Sequence, residues 1–162
     1  MMKRIEANDP VAMHQKGSEC HKKGDYSSAF EYFTKAAKLG DIEAHYQLAC
    51  CYGLGHGVEE DEKKKMFHLE EAAIGGHPKA RHNLGVYEVN RGNTERAVKH
   101  FLIAANNGHD DSMKALRELY AAGSVGREDF SSTLRAYKAV VNSTKSPLRD
   151  AAEAALQTLG RM

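Results

Sequence analysis

Ala29-Phe30-Glu31-Tyr32-Phe33-Thr34-Lys35-Ala36-Ala37-Lys38-Leu39-Gly40 decides the fold, because the chain returns to the same pattern twice more, at Lys65 to Gly76 and Ala97 to Gly108. Each stretch ends Ala-Ala-x-x-Gly. The glycines are separated by 36 residues (Gly40 to Gly76) and 32 residues (Gly76 to Gly108), and the same two steps carry Ala37 to Ala73 to Ala105 and Phe33 to Leu69 to Phe101. A second anchor set follows each glycine: Ala44, Ala80 and Ser112, with Leu48, Leu84 and Leu116 four residues on. A period of this length, shared by small and bulky positions alike, is the signature of stacked supersecondary units.

Between the glycines the apolar spacing is helical, as in Ala97, Val98, Phe101, Leu102, Ala104 and Ala105, so each unit is predicted to be a helical hairpin. Glycine ends a helix in the left-handed conformation, and Asp25, Asp61 or Asn93 then offers a side-chain oxygen to cap the next helix. Pro78 suits a first helical turn, where its missing donor is not needed. The alanine pairs 36/37, 72/73 and 104/105 permit close helix approach, while Phe33, Leu69 and Phe101 fill the space beside them. Four residues of length variation fall in the loop Gly53-Leu54-Gly55-His56-Gly57-Val58, where a repeat array tolerates insertion.

These residues resemble the Sel-one-like repeat, a short relative of the tetratricopeptide repeat, whose motif runs approximately A-x-x-x-L-G-x-x-Y-x-x-G-x-G-V-x-x-D and ends, a helix later, A-A-x-x-G. The second unit carries the fullest match: Ala44, Leu48, Tyr52, Gly55, Gly57, Val58, Asp61, Lys64, Ala72, Ala73 and Gly76. The first keeps Ala12, Gly17, Gly24, Ala29, Ala36, Ala37 and Gly40, and the third Ala80, Leu84, Gly85, Ala97, Ala104, Ala105 and Gly108. Lys16 replaces the leucine of the first unit and Arg117 the glycine of the fourth, as suits the ends of an array. The resemblance implies an all-α fold, a right-handed α-α superhelix of about four hairpins (10–40, 41–76, 77–108, 109–143) forming a single domain over 1–162. A last helix, 147–160, opens at Ser146-Pro147 and is expected to cap the core with Leu148, Ala152, Ala155, Leu156 and Leu159.

By the same analogy the concave face carries His14, Ser18 and His21, then Glu43, Tyr46 and Cys50, then Lys79, His82 and Val86, with Lys114 and Glu118 in the fourth unit. The function implied is a non-catalytic scaffold or adaptor that grips a peptide or helix of another protein there. Two alternatives stay open: a thiol- or metal-dependent enzyme built on the inner histidines and cysteines, and a structural unit that stacks end to end.

Chemistry is otherwise sparse. No Cys-x-x-Cys pair, His-Glu-x-x-His run or phosphate-binding loop occurs, and the glycine-rich 53–57 joins two helices instead of following a strand. His14 and His21, seven apart, share a helical face, but a polar groove lining accounts for them better than a metal does; no catalytic residue, metal or cofactor is assigned. His77 and His109 are expected in loops. With 23 basic against 22 acidic residues the net charge is +1, so neither nucleic acid nor an anionic membrane surface is an expected partner. The state expected is a monomer or a weakly self-associating chain. Cys20, Cys50 and Cys51, odd in number and two of them adjacent, read as free thiols. No stretch reads as a secretory signal, so cytosol or nucleus is the expected location.

Overall fold

In the computed structural model, residues 2–160 are described; the side chains of residues 4, 6 and 145–149, Leu148 among them, lie outside that description. The described residues form nine α-helices and no strand. A short helix, α1 (Met2–Glu6), precedes the hairpins α2 (Pro10–Lys22) with α3 (Tyr26–Lys38), α4 (Ile42–Leu54) with α5 (Glu62–Ile74), α6 (Pro78–Asn90) with α7 (Thr94–Asn106), and α8 (Asp110–Ala121) with α9 (Arg127–Gly160). The six helices α2 to α7 are each 13 residues long. Equal lengths are what a fixed repeat requires.

The turns explain how so little chain connects the helices. Gly40 takes φ 87°, its amide donates to the Ala37 carbonyl, and the Asp41 amide donates back to Ala36 at 3.1 Å. That pair of bonds closes the end of α3, and the same Asp41 immediately caps α4, its Oδ1 accepting from the Ala44 amide at 2.9 Å. One glycine and one cap therefore end a helix and begin the next. His77 and His109 donate the equivalent backbone bonds to Ala72 and Ala104. Asp25 and Asp61 cap α3 and α5 as expected, but Asn93 makes no cap bond; its amide donates to Glu88 instead.

By packing, the chain separates into two compact units, Met1–Leu84 and Gly85–Met162. In the first, Phe33 is fully buried among Ala29, Ala36, Ala37, Ala44 and Leu48, and Ile5 of α1 packs on the same cluster. A neighbouring cluster joins Ala49, Leu69, Ala72, Ala73, Ala80 and Leu84. In the second unit Phe101 packs with Ala97, Ala105, Met113 and Leu116, and Phe130 and Leu134 of α9 cover them. Bulk on the second helix is matched by its absence on the first. A Cβ on Gly17 would sit 2.7 Å from Phe33, and one on Gly85 2.5 Å from Phe101; where the second helix carries the smaller Leu69, the matching position is Ala49.

The end of the chain corrects the expectation of a separate capping helix. α9 runs unbroken from Arg127 through Pro147 to Gly160, and residues 150–160 are exposed throughout, Leu156 and Leu159 at 67% each. Proline removes one backbone donor, but the alanines at 151, 152, 154 and 155 behind it are the best helix formers, so the helix continues instead of folding back.

Candidate functional site

The expected binding residues sit on the first helix of each hairpin, and what they touch differs from one to the next. On α2, His14 is tied to the following repeat: its Nδ1 lies 2.7 Å from Oδ2 of Asp41, the residue that caps α4. His21 is seven residues further on, yet it turns elsewhere. Its Nε2 meets His56 Nδ1 at 3.0 Å, and the His56 ring stacks on Tyr26 at 4.0 Å between centroids. The two α2 histidines thus serve different partners and do not converge. Ser18 lies half-buried between them in sequence.

On α4, Glu43, Tyr46 and Cys50 are brought together, with His77 as the hub. His77 Nε2 lies 2.9 Å from Glu43 Oε2, its ring stacks on Tyr46 at 4.3 Å with the planes 13° apart, and its Nδ1 accepts the Ala80 amide that opens α6. Gln47 donates to the other Glu43 oxygen at 2.9 Å. Burial works to raise the Glu43 carboxyl, but the hydrogen bonds from Gln47 and His77 outweigh it, and the group sits below the usual carboxylate range. Tyr46 bonds to both Asn83 and Cys50, and burial, followed by the thiol's charge, raises its phenol.

The two α4 thiols are poor nucleophiles. Burial raises Cys50 despite the Tyr46 bond and the nearby Lys65 and Lys79 ammonium groups, and it raises Cys51, beside Cys50, to about 11. A thiol in that range stays protonated at neutral pH. All three cysteines are free.

On α6, Lys79 is exposed and His82 half-buried; both belong to the first unit. Val86, 41% exposed, lies in the second unit. There, Lys114 is exposed with Asp111 3.9 Å away, Glu118 is exposed as well, and Lys114 lines a groove of about 450 Å³ with Met113, Arg117, Tyr137 and Val140. The Tyr137 hydroxyl donates to Asp110 at its edge.

Sequence reading missed the caps that directly follow Gly40, Gly76 and Gly108. Asp41, His77 and His109 occupy one repeat position, separated by the same steps of 36 and 32 residues, each directly after a glycine. His77 and His109 are therefore helix caps that accept from Ala80 and Ser112, beyond the loop role expected of them. Also missed is a pair across α4 and α5, His45 Nδ1 to His68 Nδ1 at 3.0 Å, with His68 stacked on Tyr52. Among the described residues no group of three or more His, Cys, Asp or Glu side chains is arranged to hold a metal ion.

Residues 12–41, 42–77 and 78–109 match the Sel1 repeat. The chain belongs to the Sel1 repeat family. It is similar to the crystal structure of a Sel1 repeat protein from Oxalobacter formigenes, with TM-score 0.69 and 31% identity over 85% of this chain and 62% of that one. It also shares the fold of a protective antigen from uropathogenic Escherichia coli strains displaying an SLR fold, with TM-score 0.67 and 22% identity over 85% of this chain and 32% of that one. Among curated proteins, this Sel1 chain is 35% identical over 86 residues to "Chitin synthase regulatory factor 4" of Schizosaccharomyces pombe, covering 52% of this chain and 14% of that protein. It is 25% identical over 174 residues to "DAP3-binding cell death enhancer 1" of Mus musculus, covering 83% and 34%. The Sel1 chain therefore spans about a third of the length of one of these relatives and about a seventh of the other.

Proposed function

We propose that this protein is a non-catalytic scaffold that holds another protein, gripping a peptide or helical segment on the first helices of its hairpins. The observation that carries the proposal is the network on α4 and α6: Glu43, Tyr46 and Cys50 are fixed by His77 and Asn83, with the exposed Lys79 beside them. Such a surface has rigid aromatic and hydrogen-bonding groups already in place, which lowers the ordering cost of binding. His14, Ser18, His21 and His82 extend it in the first unit, and Val86, Lys114 and Glu118 are the counterparts in the second. The regulator and binding-factor names of its relatives support the same reading. Burial that raises the Cys50 and Cys51 thiols supports a non-enzymatic role, and a net charge of +1 supports a protein partner over nucleic acid or membrane. Three free thiols suit a reducing compartment, cytosol or nucleus.

Affinity purification from the source cell, with the wild type and Lys79→Glu compared side by side, tests this. The exposed ammonium contributes to recognition and not to the core, so the variant is expected to keep its melting temperature and lose the partner. Retention of every partner by Lys79→Glu would remove this part of α6 from the binding surface.

A further inference from the structure

The outward face of α5 is out of keeping with its repeat equivalents. Lys63, Phe67, Glu70 and Ile74 recur at helical spacing on one side of α5, opposite the buried Leu69, Ala72 and Ala73, and all four are exposed. Phe67 is 55% exposed and Ile74 76%. One repeat earlier the positions of Phe67 and Ile74 hold Glu31 and Lys38; one repeat later they hold Lys99 and Asn106. Those four are exposed too, so this position on the hairpin faces outward in α3, α5 and α7 alike. Two of the three helices solve it with charged or amide side chains, and the third presents a phenyl ring and a branched alkyl group. The Phe67 ring meets the adjacent His68 ring edge-on, yet more than half of it, and three quarters of Ile74, stays in water.

The charges around them indicate what covers the face. α5 begins Glu62-Lys63-Lys64-Lys65 and, beyond Phe67, continues Glu70-Glu71, basic before acidic along one helix. An antiparallel copy of the same helix presents the reverse order. We infer that the Lys63–Phe67–Glu70–Ile74 face of α5 is a self-complementary surface that pairs with a second copy of this chain about a two-fold axis close to Phe67.

In that arrangement the two Phe67 rings meet near the axis, and each Lys63 falls within a helical turn of both Glu70 and Ile74 of the second copy. The lysine stem covers the isoleucine while the ammonium reaches the carboxylate, a division of labour natural to a long amphipathic side chain. Both copies use one patch, so the contact closes at two and does not propagate. The pairing uses the second helix of a hairpin and leaves the first-helix residues free, so it does not depend on the scaffold reading and can double the number of partners held.

Sedimentation of the full chain from micromolar concentration to about 1 mM, at low and high salt, tests the pairing. The wild type is expected to move from one chain toward two, less so in high salt. Phe67→Glu with Ile74→Lys installs the residues that α3 already carries at these positions, so folding is retained, and association is expected to weaken at least about tenfold with an unchanged melting temperature. Lys63→Glu and Glu70→Lys should each weaken self-association, and an equimolar mixture of the two should recover it. A wild type that stays monomeric up to about 1 mM overturns the inference. So does an association that survives the Phe67/Ile74 exchange, or charge variants whose mixture shows no recovery, since either would place the contact on another face.

Discussion

Gly17→Ala tests the packing rule of the array most directly. The added methyl carbon would stand 2.7 and 2.8 Å from two Phe33 ring carbons and 3.2 Å from the Tyr32 Cβ. Carbon atoms rest at about 3.5–4.0 Å, so the ring would have to retreat by roughly 0.8 Å. Phe33 is fully buried against Ala29, Ala36, Ala37 and Ala44, which leaves it nowhere to go. In an exposed helix the exchange would gain about 1 kcal/mol of propensity; overpacking costs about 1–3 kcal/mol, and with the ring boxed in by backbone-proximal methyls the upper half of that range applies. A net loss of about 1–2 kcal/mol is expected, read as a lower urea midpoint at unchanged slope. The double variant Gly17→Ala with Phe33→Leu recreates the pair that the second hairpin uses, Ala49 with Leu69. Its loss should fall short of the sum of the single losses by about 1 kcal/mol or more, a coupling characteristic of residues in contact. A Gly17→Ala protein as stable as the wild type, or losses that simply add, would refute the claim that small and large positions are matched across each hairpin.

Ala73→Phe and Ala105→Phe should each cost about 1–3 kcal/mol in chemical denaturation, because both alanines are buried where neighbouring helices approach. Asp41→Ala should cost about 1–2 kcal/mol, since it removes the α4 cap together with the His14 tether; Asp41→Asn keeps a capping oxygen and should cost less, so equal losses would show that the cap contributes nothing. His68 gives the pH dependence. Burial, then the neighbouring His45 and Lys64, hold its imidazole at about 4, below an ordinary value of 6.5. The unfolded chain therefore takes up a proton in this window that the folded chain refuses: the associated stability is intact above pH 6.5 and lost as pH falls toward 4. A difference of that size would amount to about 3 kcal/mol, and solvent screening of this half-buried ring brings that to about 1–2 kcal/mol. His68→Phe, which can retain the stack on Tyr52, should flatten that part of the wild-type stability profile between pH 6.5 and 4, and parallel profiles for the two proteins would contradict the assignment.

Much of the architecture was legible in the sequence because a repeat announces itself. The steps of 36 and 32 residues located the hairpins, the alanine pairs and the bulky positions beside them, and all are buried where the period put them. The end of the chain was not legible: Ser146-Pro147 reads as a helix start, yet α9 runs on through it and the alanines beyond sustain the helix. Individual contacts were not legible either. Helical spacing put His14 and His21 on one face, but the partners that separate them, Asp41 and His56, are 27 and 35 residues away in sequence. His77 looked like a loop residue and is the centre of the Glu43–Tyr46 network.

The repeating element was readable without the structure: where the helices of the matched repeats begin and end and which of their side chains turn inward, since capping and periodic burial act within a few residues of one another. Which polar side chains meet was decided by tertiary structure alone, because hydrogen bonds and ring contacts are satisfied at about 3 to 5 Å across helices that only stacking brings together.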